Sequence, residues 1–150
     1  MDDEKFMRAA LKEAEKAYKE GEVPVGAVLV HEGKIVAKAH NQVESLQDAT
    51  AHAEMLLLTM GASHFHHWRL LKTTLYCTLE PCMMCAGGML LSRIERLVWG
   101  AKDIRHGACG SLMNVFATPH PTHSLIIQGG VLEQESARLM QEFFREKRAS

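Results

Sequence analysis

Two short runs of this 150-residue chain concentrate groups that bind metals and move protons: "AHAE", residues 51–54, and "TLEPCMMC", residues 78–85. They offer one imidazole (His52), one carboxylate (Glu54) and two thiols (Cys82 and Cys85). Cys82 and Cys85 are three residues apart, so on a helix opened by Pro81 they face the same way. The positive end of a helix lowers a thiol's pKa and favours the thiolate, which is the metal-binding form. His52 and Glu54 are two apart and do not share a helical face. Both reach one point only if their helix aims its N-terminus at it. The two helices should therefore converge end-on at a single site.

Counting donors bears on what that site is. A structural zinc is normally closed by four protein ligands, whereas a catalytic zinc keeps three and leaves a position for water, whose pKa it lowers to about 7. Three are at hand here: His52, Cys82 and Cys85. No second Cys-x-x-Cys exists in the chain. Glu54, next to His52, is placed as a general acid/base. Two other readings remain open at this point. One is a thioredoxin-like redox pair, which leaves "HAE" unexplained. The other is a closed structural zinc whose fourth ligand comes from His106 or from "HFHH" (His64, His66, His67). That histidine run otherwise reads as a solvated loop. Glu80, in "LEPC", reads as a structural group that caps or bonds adjacent backbone. Cys77 and Cys109 lack metal-type spacing, and Cys77 in the alternating run "TLYCTL" reads as a small core residue.

Periodicity gives the elements that must carry these groups. Residues 3 to about 19 predict an amphipathic helix with Phe6, Ala10, Ala14, Ala17 and Tyr18 on one stripe and Gly21 as its stop. "VGAVLV" and "KIVAKAH" predict strands, joined into a hairpin at "HEGK", where Gly33 supplies a positive-φ position. A polar loop, "NQVESLQDAT", leads to a helix from about 51 to 60. "TTLYCTL" is a strand, Pro81 starts the next helix, and "RLVWGA" is a strand. The segment from 102 to about 122 contains Gly107, Gly110, Pro119 and Pro121, and connections of that length are often functional. "HSLIIQ" is a strand, and residues 132 to about 147 are a final helix. Its first turn holds Glu133 and Glu135 and its last holds Arg145, Lys147 and Arg148, as the helix dipole favours. Strands alternating with helices imply a sheet covered on both faces, in one domain over residues 1–150.

Composition narrows the setting. Hydrophobic residues make up 47% and charged residues 23%, with a formal net charge of −1, which is globular and excludes a strongly basic shell that grips any duplex. A nucleic-acid partner would have to be met by a local patch. The acidic start "MDDEKFMRAA" lacks the basic and apolar regions of a signal peptide, and no apolar run approaches the ~20 residues of a membrane span. The expected compartment is the cytoplasm, where four cysteines suggest metal or catalysis before disulfides.

The pair His52-Ala53-Glu54 and Pro81-Cys82-Met83-Met84-Cys85 matches the H-x-E…P-C-x-x-C signature of the zinc deaminases. Outside it, "EVPVGAVLV" (22–30), "TLYCTLEPCMMCAGGM" (74–89), "SRI" (92–94), "GAKD" with "GACGS" (100–111) and "FFR" (143–145) resemble, in order, the bacterial tRNA-specific adenosine deaminases. The resemblance implies a three-layer α/β/α sandwich around a central mixed five-stranded sheet. It implies hydrolysis of adenosine to inosine at the wobble position of a tRNA anticodon, with one Zn2+ per subunit on His52, Cys82 and Cys85. Glu54 is then the proton shuttle, and Asn41 bonds the target nucleoside. Asp103 lies in a loop that meets the RNA, and Phe144 and Arg145 lie on a helix that approaches the anticodon arm. Arg105 stands where the family usually has lysine, Gln42-Val43 where it often has Arg-Pro, and Gly88 where alanine is common. The zinc signature alone also admits a small-molecule deaminase acting on cytosine, cytidine or guanine. A non-catalytic zinc-stabilised RNA-binding module would keep the metal and make Glu54 incidental.

Two further expectations concern partners. "CMMCAGGMLL" has no polar face, so its helix must be covered on all sides, and Gly87 and Gly88 suggest close packing there. With the resemblance, this points to a homodimer. Lys102, Arg105 and His106 together with the C-terminal helix should contact the anticodon stem-loop. Adjacent Phe143 and Phe144 point about 100° apart, so one can lie outside the core as a stacking platform. Truncation after Glu142 is then expected to weaken RNA binding while leaving thermal stability nearly unchanged.

Overall fold

The computed structural model describes residues 2–149. Its elements run α1 (Asp3–Lys19), β1 (Gly26–His31), β2 (Lys34–His40), α2 (Val43–Leu46), α3 (Ala53–Phe65), β3 (Thr73–Leu79), α4 (Met83–Leu91), β4 (Arg96–Ala101), β5 (Ile126–Gln128) and α5 (Glu133–Ala149). The sheet order is β2-β1-β3-β4-β5. β1 is antiparallel to both β2 and β3, and β3, β4 and β5 are parallel. The sheet is therefore mixed and five-stranded, as expected.

Side chains alternate across it with the period of two that a pleated strand imposes. Ala27, Leu29, Leu75, Cys77, Leu97 and Trp99 point to one face and pack with Leu57 and Leu58 of α3 and Cys85 and Met89 of α4. Val28, Val30, Tyr76 and Val98 point to the other and pack with Phe6, Met7 and Ala10 of α1. The result is a three-layer α/β/α sandwich. Leu29, Leu75 and Leu97 are wholly buried, and each contributes roughly 2 kcal/mol of apolar burial. Gly26 lets α1 lie directly on β1, because a Cβ there would collide with the backbone of Ala10 and Ala14. In the β1–β2 turn Glu32 and Gly33 both have positive φ, at 51° and 76°, the backbone of a tight two-residue hairpin.

Besides the start of α4, three elements differ from the sequence expectation. α3 runs through Gly61 to Phe65 instead of stopping near 60: Gly61 is a buried helical residue packed against the Leu29 and Leu70 side chains. The "HFHH" run is therefore partly helical: His64 is in the last turn and His66 is its left-handed C-cap. The last strand is three residues, not six, and the polar loop after β2 contains the short helix α2.

At the end of the sheet where β4 begins, Arg96 donates two 2.7 Å hydrogen bonds to the Asp3 carboxylate, and the Tyr76 hydroxyl donates a third at 2.8 Å. The bonds from Arg96 hold the Asp3 carboxyl below its usual range, against opposing burial. A depressed carboxyl pKa contributes stability above its unfolded value and loses it as pH falls through the folded one. Asp3→Asn is expected to cost about 2 kcal/mol near pH 7. Thermal melts from pH 7 to 2 should show the gap from wild type closing below about pH 4.

Candidate active site

β1 and β3 are antiparallel, so the loop after β2, the end of β3 and the exit of β4 all lie at one end of the sheet. α3 and α4 begin there. His52 is the N-cap of α3, with extended dihedrals (φ −71°, ψ 149°), and Cys82 is the N-cap of α4 (φ −76°, ψ 175°). An N-cap residue lies outside helical geometry, so its side chain can swing over the helix end. This is why His52 and Glu54, two apart, reach one site. Pro81 does not open α4 as expected: it sits one residue before the N-cap, and Cys85 is the third helical residue.

His52 Nδ1 stands 3.6 Å from the sulfurs of both Cys82 and Cys85, and the three donor atoms lie within 4.8 Å of one another. Donors at zinc's usual N and S distances in tetrahedral array are roughly 3.6 Å apart, so the set fits that ion. Its charge does too. Hydrogen bonding from Cys85 pulls the Cys82 thiol down to about 3, with further help from His52. The same bond and burial push Cys85 far up. Burial raises the Glu54 carboxyl to about 7, and its bond to Cys82 raises His52. Two thiols and a carboxyl are gathered here out of water, and a cation among them would favour the ionised form of all three.

Glu54 is 4% exposed, on the first turn of α3 and within electrostatic reach of His52, Cys82 and Cys85. Asn41 is also buried, and its side-chain amide is bonded to no described residue. The next residue, Gln42, donates its backbone N–H to the carbonyl of Ala51, 3.0 Å away, which ties Asn41 to the approach of His52. Cys77 lies beneath the site in the core, and burial raises its thiol strongly. Cys109 stands nearer than sequence spacing suggested: its thiol, pushed up to about 12 mainly by burial, feels the charges of Glu80 and Glu54. No sequence signal singled it out beyond its place in "GACGS".

Glu80 is 2% exposed and binds backbone, as expected of a structural group. It accepts from the amides of Asp103, Cys109 and Ser111 and from the Ser111 hydroxyl. Asp103 points into its own loop: Oδ1 accepts the amides of Arg105 and His106. Lys102, Arg105 and His106 are exposed. His106 lies 3.8 Å from Asp103 and is no part of the donor cluster, nor are His64, His66 and His67.

In α5, Phe143 is buried edge-on against Tyr18, while Phe144 is 41% exposed beside an exposed Arg145. The expected division of the two rings holds, but truncation after Glu142 would also remove a core residue. The cut that isolates Phe144 and Arg145 falls after Phe143. In α4, Gly88 packs against Met55 and Leu58, whereas nothing lies within 4 Å of where a Gly87 side chain would stand. The expected close packing within the chain holds for Gly88 only.

Residues 1–101 match the model of the cytidine and deoxycytidylate deaminase zinc-binding region. The tRNA-specific adenosine deaminase of Bacillus subtilis is 49% identical over 146 residues, spanning 97% of this chain and 91% of that one. The chloroplastic tRNA(adenine(34)) deaminase of Arabidopsis thaliana is 50% identical over 159 residues, and the match spans 95% of this chain but only 12% of that much longer protein. A solved chain from structural studies of A-to-I editing by tRNA:A34 deaminases at the wobble position of transfer RNA superposes with a TM-score of 0.86. It is 41% identical, over 90% of this chain and 98% of that one. The chain thus belongs to the zinc-binding cytidine and deoxycytidylate deaminase family and, within it, to the tRNA-specific adenosine deaminases.

Proposed function

We propose that residues 1–150 are one deaminase domain that hydrolyses adenosine to inosine at the wobble position of a tRNA anticodon. The observation that carries this is the set of three donors at the N-terminal ends of two helices, two of them N-caps and Cys85 in the first turn, with the buried Glu54 beside them. His52, Cys82 and Cys85 would hold one zinc ion per subunit, which supplies Lewis acidity toward water. Glu54 takes a proton from the attacking water and passes it to N1 of adenine. The remaining hydroxyl adds at C6. Glu54 then takes the proton of that hydroxyl and delivers it to the amine, and as the C6–N bond breaks the C6 oxygen becomes the carbonyl, so that adenosine and water become inosine and ammonia. The unpaired amide of Asn41 is suited to orient the nucleoside. A base in a helix hides C6, and a loop nucleotide costs least to unstack. That agrees with a nearly neutral chain whose RNA contacts are local. Ammonia release measured on a wobble-adenosine stem-loop beside free adenosine, cytidine and guanine tests the assignment. The stem-loop alone should react. Reaction of a free base or nucleoside with no reaction of the stem-loop would replace it by the small-molecule reading.

RNA contact in this reading comes from Lys102, Arg105 and His106 and from Phe144 with Arg145, with Asp103 shaping the first group from within. Arg145→Ala is expected to weaken stem-loop binding several-fold and flatten its salt dependence by about one phosphate. Truncation after Phe143 should weaken it further with little change in melting temperature. Filter binding at 50 and 200 mM salt checks both.

The same reading makes the protein a cytoplasmic homodimer. No described helix is long and apolar enough to cross a membrane, and the four cysteines are free. Support for pairing comes from α4. Its inner residues are buried by the chain itself, while Met83, 63% exposed, and Leu91, 64% exposed, flank the open Gly87 at four-residue intervals. Those three form one apolar stripe. Sedimentation equilibrium at micromolar concentration should give twice the chain mass, and Leu91→Glu should shift it to monomer. A wild-type monomer would refute the pairing.

A further inference from the structure

We infer that Glu80 is a positioning residue that joins the metal-donor helix to the RNA-facing loop; this rests on the function proposed above. Glu80 lies two residues before Cys82, at the end of β3, and its own amide donates to the Ala101 carbonyl of β4 at 2.8 Å. Its carboxylate is the hub of the segment that follows β4. Oε1 accepts the Asp103 amide at 3.2 Å and the Ser111 hydroxyl at 2.5 Å. Oε2 accepts the Cys109 amide at 2.9 Å and the Ser111 amide at 3.2 Å. Two donors meet each oxygen, and no side-chain cation takes part. A carboxylate accepts at both oxygens, whereas an amide would turn an N–H toward two donors in either orientation.

The hub holds both ends of the loop. Asp103, held by its amide, uses its carboxylate to fix the amides of Arg105 and His106, so those two side chains leave the surface from a backbone set by Glu80. At the far end, the Ala108 amide bonds the Pro81 carbonyl at 2.8 Å, next to the Cys82 N-cap. Gly107 lies so close to the Glu80 carboxylate that a side chain there would strike it. The distance between the RNA-facing cations and the reacting centre is therefore set through one buried group that touches neither RNA nor metal.

The test compares wild type with Glu80→Gln and with Ser111→Ala, which removes one of the four donors and leaves the carboxylate in place. Each protein is assayed for zinc content, kcat and KM on the wobble-adenosine stem-loop, Kd for the same RNA, and amide hydrogen exchange over residues 103–111. Glu80→Gln is expected to keep about one zinc and to raise KM and Kd at least ten-fold with kcat changed far less, since it loses binding that ground and transition states share. Ser111→Ala should raise both about three-fold. Exchange over 103–111 should quicken in the same order. Loss of exchange protection with KM and Kd within two-fold of wild type would make Glu80 merely structural and overturn the inference. If Glu80→Gln does not fold, the Ser111→Ala values decide by the same criteria. If wild type binds the stem-loop without turning it over, the proposed function fails, and the Kd ratios still decide the role of Glu80.

Discussion

Glu54→Gln is expected to lower turnover of the stem-loop by at least ~10²–10⁴-fold, the range for removal of a general acid/base. The larger end is expected because one group moves several protons in this reaction: from water, to N1 and to the leaving amine. The substitution keeps size and shape in a site where Glu54 is 4% exposed. Zinc content and RNA affinity should therefore stay near wild type, since the three donors are His52, Cys82 and Cys85 and the exposed cations lie on other segments. Single-turnover rates with metal analysis and filter binding on the same preparation separate the possibilities. Wild-type rates would falsify the proton-transfer role. Loss of zinc would make Glu54 a structural ligand and favour the non-catalytic module.

Cys85→Ser is expected to remove most of the zinc and all detectable turnover, with Cys82→Ser close behind. Serine is a poor zinc ligand at neutral pH, and two donors do not hold the ion as three do. Cys85 should be the more damaging because its sulfur is buried while Cys82 is partly exposed, so solvent cannot replace it. The His52 imidazole, 3.6 Å from both sulfurs, would keep its place because its backbone N-cap position is unaffected. Metal analysis after dialysis against a weak chelator checks this, and full zinc retention in both variants would sink the donor assignment.

Much of this architecture was legible in the residues. β3 falls on "TTLYCTL" and β4 on "RLVWGA" because an alternating or continuous apolar run bounded by polar residues leaves few other options. The donors were legible because His-x-Glu and Pro-Cys-x-x-Cys each open an apolar run, which sets their side chains at helix starts. Less legible was anything decided by tertiary contact. Gly61 looks like a helix end, yet α3 continues through it, buried against the Leu29 and Leu70 side chains. Pro81 looks like a first helical residue, yet the helix begins later because Cys82 takes the N-cap. Phe143 and Phe144 are alike in sequence, and only packing against Tyr18 tells which is core. Glu80 was recognisable as a backbone-binding group, but the four donors it gathers lie 23 to 31 residues away, beyond any local pattern.

The central claim, that this site deaminates one unstacked adenosine in an anticodon loop, is met most directly by position-resolved sequencing. A stem-loop with adenosine at the wobble position and at two other loop positions is incubated with zinc-loaded protein and reverse-transcribed, so that inosine reads as guanosine. Conversion is expected at the wobble adenosine, with the other adenosines unchanged and Glu54→Gln inactive. Equal conversion at all three loop adenosines, or none at the wobble position by a protein that holds its zinc, would contradict it.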